Sequence, residues 1–562
     1  MAEELLYFNG VNGATGEFLP PFTPKQISKI AQGEEFDPLL LVELQQRYDR
    51  DQEQHYGLGD RKKDPKDLAD AGWGVIFAYG ADLAIRDALS VLLEHRQKQA
   101  TQKKEHYYQE YIGPKAYRPG ESKQDFLKRH RIGLGPANPE KMPYYLLIVG
   151  DPETIPYEFQ YQLDVQYAVG RIYFNSLEEY AKYAHSVVEA ETGELSLPRT
   201  VSFFGVRNSG DQATQSSADR LITPVAQWIG QDQPNWSIQT ILREEATKAR
   251  LTQLVGGAEK PALLFTASHG VCFPKDHRQQ LPHQGSLLCQ DWPGPFKWKG
   301  ELDPEKHYFS ADDVGDNAQL HGLIAFQFAC YGAGTPKFDN FAHQPGSQRS
   351  EIAPHAFIAR LPQRLLSHPK GGALAVIGHV ERAFEYSFKW KRAEQLETFQ
   401  YAIQSLMEGY PVGFATEFFN ERYAEFATDI NENLDNIKHD ETVDDWNLAN
   451  LWAAHHDARN YVIIGDPAVR LQVTTASPAI GEQPKPTPEK IVINPPDSPS
   501  PDNSKGAEET PASSSQQEDW QNVPDSFKRL VEDLDKRVKL LERQVQRLQD
   551  QNLSLQQQIN RL

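Results

Sequence analysis

Short, wholly apolar runs alternating with amphipathic stretches constrain this chain more than any other feature. From about residue 197, Val201–Gly205 precedes a helical pattern with Leu221, Val225, Trp228 and Ile229 on one face. Trp236–Leu242 precedes another with Leu251, Leu254 and Val255 inward, and the runs Ala262–Ala267, Leu323–Ala329 and Ala373–Gly378 follow. A run that is apolar throughout suits a strand buried on both faces. Such strands in alternation with helices imply a parallel sheet covered on both sides. Ligands of these sheets bind beyond the strands' carboxyl ends. Two runs end there on reactive side chains: Ala267-Ser268-His269-Gly270 and Ala329-Cys330-Tyr331-Gly332-Ala333-Gly334.

The chain before this region reads as a smaller α/β unit. Residues 1–70 form an N-terminal extension rich in charge, Pro and Gly, with a helical pattern over Lys25–Leu44. Strand Trp73–Ala78 leads into a helix with Ile85, Ala88, Leu89 and Leu92 on one face, and a polar excursion spans Gln97–Arg131. Strand Tyr144–Val149 stops at Gly150-Asp151-Pro152, and Val169–Ile172 precedes a helix over Leu177–Glu191. Residues 71–195 are thus expected as a non-catalytic subdomain and 196–473 as the catalytic one. Within the latter, 271–310 looks like an insertion of turns and short strands. A helix is expected at about Ala353–Ser367, and a long helical region at Ala393–Leu434. The closing Tyr461–Gly465-Asp466-Pro467 echoes the Gly150-Asp151-Pro152 segment, which hints that the two units are related halves. The physical use of Gly-Asp-Pro is a turn, because Asp accepts backbone hydrogen bonds and Pro fixes φ.

Composition changes abruptly after the last strand. Residues 474–519 are dominated by Pro, Ser, Glu, Asp and Lys, cannot bury a core, and read as a disordered linker. Residues 520–562 then carry an unbroken heptad. Val531, Val538, Val545, Asn552 and Ile559 take position a; Phe527, Leu534, Leu541, Leu548, Leu555 and Leu562 take position d. β-Branched residues at a with Leu at d favour two parallel strands, and one Asn at a fixes register. The expectation is a parallel homodimer, or pairing with a partner's coil; a single helix folded back on the body is the plainer alternative.

Charge and cysteine usage exclude several functions. The balance of 58 basic against 78 acidic residues gives −20, which argues against a nucleic-acid surface. No apolar run approaches the roughly 20 residues of a membrane span. Three cysteines cannot build a disulfide framework, and the start shows no basic segment followed by an apolar one. A soluble, cytoplasmic protein is expected.

His269 and Cys330 fit thiol chemistry. A thiol is mostly protonated at neutral pH, and an adjacent imidazole can take its proton and later hand it to a departing amine. Backbone N–H groups must also meet the developing oxyanion. The amide of Gly270 has no Cβ beside it, and that of Cys330 is the natural second donor. Taken singly, a cysteine ending a strand can be a small core residue, and a lone histidine can be structural.

The order His before Cys, each at the end of an apolar strand, resembles the caspase-like cysteine peptidases of clan CD. Papain-like enzymes carry Cys before His. Within the clan the likeness is to gingipain-like and CHAT-type peptidases. Leu146-Leu147-Ile148-Val149-Gly150-Asp151, Val169-Gly170-Arg171-Ile172, Ala329-Cys330-Tyr331-Gly332-Ala333-Gly334-Thr335-Pro336 and Ile463-Ile464-Gly465-Asp466-Pro467 are all similar to that group. The resemblance covers about residues 70–473. It implies a caspase-like three-layer α/β sandwich with a mostly parallel sheet, preceded by a related subdomain. It also implies a dyad of His269 as base and acid and Cys330 as nucleophile, with the amides of Gly270 and Cys330 as oxyanion hole. In the resembled family the strand end near His379 lines the specificity pocket; with Glu381, and with Gln327 and Asp276 as further candidates, it would form an acidic wall suited to a basic substrate residue. The expected activity is a cysteine endopeptidase acting on protein or peptide in intracellular signalling or regulated proteolysis. The competing expectation is a catalytically silent caspase-like scaffold that oligomerises through its coil.

A rival chemistry would use His269, Cys272, His283 and Cys289 as zinc ligands, but their spacing matches no standard finger. Cys272 and Cys289 are read as structural, and no metal or cofactor is expected. Calcium dependence, found in parts of the clan, has no legible ligand set here.

Overall fold

Ten strands make one sheet in the computed structural model. They are β1 (Trp73–Phe77), β2 (Tyr108–Tyr111), β3 (Tyr145–Val149), β4 (Ala168–Ile172) and β5 (Thr200–Gly205), then β6 (Ser237–Leu242), β7 (Leu263–Ala267), β8 (Ile324–Phe328), β9 (Ala375–His379) and β10 (Tyr461–Gly465). Their order across the sheet is β2-β1-β3-β4-β10-β9-β8-β7-β5-β6. The structure describes residues 5–33, 38–51, 58, 63–193, 195–257, 259–339, 341, 349–390, 393–439 and 442–474. The expected linker and coil, 474–519 and 520–562, therefore lie outside the described residues apart from Thr474.

All neighbours in the sheet are parallel except β9 and β10. The sheet is thus two parallel blocks joined back to back. The carboxyl ends of β5–β9 lie at one edge, and those of β1–β4 and β10 at the opposite one. Strands β1, β3, β4, β7, β8, β9 and β10 are buried at every residue, which requires cover on both faces. The edge strands β2 and β6 are mostly half-buried or exposed. At the centre of the second block, Phe265 stacks on Phe326 with ring centroids 4.6 Å apart and planes 9° apart.

Strand β10 ties the two blocks together. Asp466, just past it, is fully buried and accepts from Trp73 Nε1 at 2.9 Å and Arg96 Nε at 2.7 Å. The guanidinium of Arg96 continues to Glu191, 2.7 Å away. The similar Asp151 instead closes a local turn, accepting from the amides of Glu153 and Thr154 at 2.9 Å. One short motif therefore serves two uses. Segments 71–195 and 196–473 both contribute strands to this one sheet.

Helical boundaries differ from the sequence pattern where Gly and Pro intervene. The pattern at Lys25–Leu44 is two helices, Pro24–Gln32 and Pro38–Asp51, because Gly33 ends the first and Pro38 fits only a first turn. The helix expected at Ala353–Ser367 is shorter, Arg360–Leu366, with Phe357–Ile358 extended before it.

A second, five-stranded sheet stands beside the edge where β7 and β8 end. Its order is Tyr308–Phe309, Leu287–Leu288, Gly270–Cys272, Gly10–Asn12, Glu17–Phe18. The 271–310 insertion thus pairs with an arm from the N-terminal extension. Val11, Val271, Phe273, Leu288, Trp292, Leu302 and Tyr308 form its own core.

Candidate active site

Register brings the histidine and the cysteine together. Strands β7 and β8 are adjacent and parallel, with Ala267 opposite Phe328. His269 and Cys330 each lie two residues beyond that last pair, on the same edge. Tyr331 follows with φ of 59°, a left-handed conformation that a non-glycine residue adopts only where its surroundings hold it. Its amide donates to Glu381 O at 2.7 Å and that of Ala333 to His379 O at 2.8 Å, fixing the turn after the cysteine against the loop after β9.

The imidazole of His269 is oriented by a residue that the sequence did not single out. Nε2 of His269 is 2.7 Å from Oδ2 of Asp211, and both side chains are buried. Asp211 also accepts from Thr214 Oγ1 at 2.7 Å and caps the helix Gln212–Ser216. Burial pushes the Asp211 carboxyl up, but the charge of His269 and the hydrogen bonds from His269 and Thr214 outweigh it and hold the carboxyl below its usual range. A carboxylate at Nε2 keeps the ring proton there and leaves Nδ1 as the basic atom. Nδ1 is buried with no hydrogen-bond partner among the described residues. Asp211 followed three residues on by Thr214 carries a local capping signature; its second role, facing a residue 58 positions away, has no local signal.

Cys330 is fully buried. The Ala383 amide donates to its Sγ at 3.2 Å. Burial pushes the thiol up to about 12, against smaller opposing effects of Ala383 and Arg382.

The N-terminal arm also lies against Cys330, and a Cβ on Gly10 would stand 3.0 Å from its Sγ. The carbonyl oxygen of Asn9 accepts from two amides, Gly270 N at 2.9 Å and Cys330 N at 3.1 Å. The Asn9 amide donates to Ala383 O at 3.0 Å, and Phe8 pairs antiparallel with Phe384. Beyond Asn9 the arm runs parallel to Gly270–Cys272. A small cavity of about 120 Å³ remains between arm and site, lined by Tyr7, Phe18, Asp211 and His269 among others.

Gln327 is buried beneath the cysteine turn, and a Cβ on Gly332 would be 3.3 Å from its Oε1. His379 is buried, its Nε2 3.2 Å from Asp457 Oδ1 and its ring 4.0 Å from that of Tyr461. The Glu381 carboxylate pairs with Arg382, which also forks onto Asp339 at 2.8 and 3.0 Å. This acidic residue is therefore balanced by a cation. Asp276 is exposed, in a turn at φ of 65°. Of the rival zinc set, Cys272 Sγ donates to Gly270 O, His283 bonds Tyr308 and Asp312, and Cys289 Sγ donates to Leu287 O. Among the described residues no three His, Cys, Asp or Glu gather as a metal site.

The sequence model of peptidase family C25 matches residues 76–472. No curated protein matches the chain. A solved structure described as that of a protease is 12% identical, covering 72% of this chain and 80% of that one, with a TM-score of 0.42. The complex of the Porphyromonas gingivalis RgpB pro- and mature domains is 12% identical over 73% of this chain and 81% of that one, with a TM-score of 0.38. The Arg-specific cysteine proteinase gingipain R (RGPB) is 13% identical over 73% and 80%, also with a TM-score of 0.38.

Proposed function

Because the chain belongs to peptidase family C25 and is a cysteine-type peptidase, we propose that it hydrolyses peptide bonds with Cys330 as nucleophile and His269 as general base and acid. In this reading the Cys330 thiol passes its proton to Nδ1 of His269 and the sulfur attacks the substrate carbonyl. The amides of Gly270 and Cys330 receive the oxyanion. His269 then protonates the departing amine, and water releases the acyl group from the thioester. Asp211 is a positioning residue that holds the imidazole.

One observation carries the proposal: two amides, from the histidine loop and the cysteine loop, converge on one carbonyl oxygen beside the thiol. An oxyanion hole requires that geometry, and each such donor contributes about 3–4 kcal/mol to the transition state in hydrolases of this type. The loop after β9, from His379 to Phe384, would form the substrate-facing wall.

The setting we propose is a cytoplasmic endopeptidase in intracellular signalling or regulated proteolysis, akin to CHAT-type enzymes. All three cysteines are free, which supports a reducing compartment. Among the described residues no helix is long and apolar enough to cross a membrane. The heptad of 520–562 supports a parallel homodimer, or docking on a partner's coil.

A thiol-reactive peptide probe tests the reading. It is expected to label the full chain at one site over hours and to lose that label in Cys330→Ala. Equal labelling of both would overturn the assignment and favour a silent scaffold.

A further inference from the structure

The arm lies in the site as a peptide substrate would, with one of its carbonyl oxygens on the two amides; this inference rests on the peptidase reading above. Backbone contacts flank the Asn9–Gly10 bond on both sides. Before it, Phe8 pairs with Phe384 and Asn9 donates to Ala383 O; after it, Gly10–Asn12 pairs in register with Gly270–Cys272. The carbonyl of that same bond occupies the two amides. Backbone pairing of this kind fixes the bond, and the side chains add selectivity.

Each side chain has a defined place. The Phe8 ring centroid is 4.6 Å from that of Phe384 and 5.7 Å from those of Phe22 and Phe341, and Arg382 stands 5.6 Å away. The Asn9 side chain is 1% exposed and carries no charge. Its Nδ2 has no acceptor among the described residues, so the arm is held by its backbone and by Phe8. A side chain on residue 10 would put Cβ 2.6 Å from Leu19 Cδ1 and 3.0 Å from Cys330 Sγ, so glycine fits as the chain stands and a larger residue needs Leu19 or the thiol to move.

We propose that the site takes peptides reading aromatic, a small uncharged residue such as Asn, then Gly, with the bond before Gly cleaved, and that the chain's own Asn9–Gly10 bond is such a substrate. Cleavage would proceed by attack of the Cys330 sulfur on the Asn9 carbonyl carbon. The Asn9–Gly10 C–N bond breaks as the thioester forms, His269 delivers the thiol proton to the Gly10 nitrogen, and water then frees the Asn9 carboxylate and restores the thiol. The segment ending at Asn9 leaves, and the two amides become free for other substrates.

The full chain tests this by intact mass and N-terminal sequencing over a time course. The expected result is a new N-terminus at Gly10 in wild type and an uncut chain in Cys330→Ala. A synthetic Tyr-Phe-Asn-Gly-Val peptide is expected to be cut after Asn, and its counterpart with Arg in place of Asn to resist. Gly10→Val, which crowds the arm out of the cleft, is expected to cleave added peptide about tenfold faster than uncut wild type, since the arm withholds the competent state. If wild type cleaves other peptides but leaves both its Asn9–Gly10 bond and the Asn peptide whole, this inference falls and the peptidase reading stands. If neither wild type nor Gly10→Val cleaves any peptide and Cys330 takes no probe, the peptidase reading itself falls.

Discussion

A Cβ on Gly270 would stand 1.8 Å from the carbonyl oxygen of Cys330. The histidine loop and the cysteine loop therefore touch backbone to backbone, and that contact aims both amides at one point. Gly270→Ala is expected to push the loops apart, costing about 1–3 kcal/mol of stability by overpacking and about 10²-fold or more in kcat by displacing one oxyanion donor. Denaturant unfolding and peptide cleavage measure the two losses. A variant with wild-type kcat would show that this amide has no part in the reaction.

Asp211→Asn removes the charge opposite His269 while keeping shape. We expect kcat to fall by about 10²-fold or more with KM little changed, because binding is untouched and only the imidazole's tautomer and orientation suffer. Asp211→Glu should recover part of the loss, which a purely structural role would not produce. The sign of the pH effect also follows. A carboxyl held below its usual 3.8 contributes stability that is complete above that pH and lost as pH falls through the lowered value. The wild type should therefore keep the pair well into the acid range, and the Asn variant should lack this acid-side loss.

Burial holds the Cys330 thiol neutral, up to about 12 against an ordinary 9.0. For an acid raised on folding, the stabilisation is complete below 9.0 and is lost as pH rises toward 12. Alkylation of Cys330 by iodoacetamide should thus be slow at pH 7–9 in the uncut chain, and should speed up when Gly10→Val lifts the arm and exposes the thiol. Quantitative mass spectrometry of the Cys330 peptide reads the rate. Equal rates in the two chains would mean that the arm does not cover the thiol in solution.

Much of the candidate site was legible because strand ends are local in sequence. An apolar run stopped by His269-Gly270 and another stopped by Cys330 announce themselves, and parallel pairing does the rest. Asp211 was not legible, since its turn carries only a capping pattern and its partner is brought near by β5 and β7 packing side by side. The arm was hidden for the same reason. Gly10–Asn12 is three residues in a segment of charge, Pro and Gly, and its pairing with Gly270–Cys272 exists only once the insertion has folded. Glu381 shows the converse limit. Its position after β9 was readable, but the neutralising fork of Arg382 onto Asp339 depends on a loop far away in the chain.

In the proposed reaction Cys330, activated by His269, hydrolyses peptide bonds. Incubating a diverse peptide library with wild type, Gly10→Val, His269→Ala and Cys330→Ala tests it most directly, with products identified by mass. Cleavage is expected by wild type, faster by Gly10→Val, and not at all by the other two variants. Cleavage that survives Cys330→Ala, or a library left whole by every chain, would contradict it.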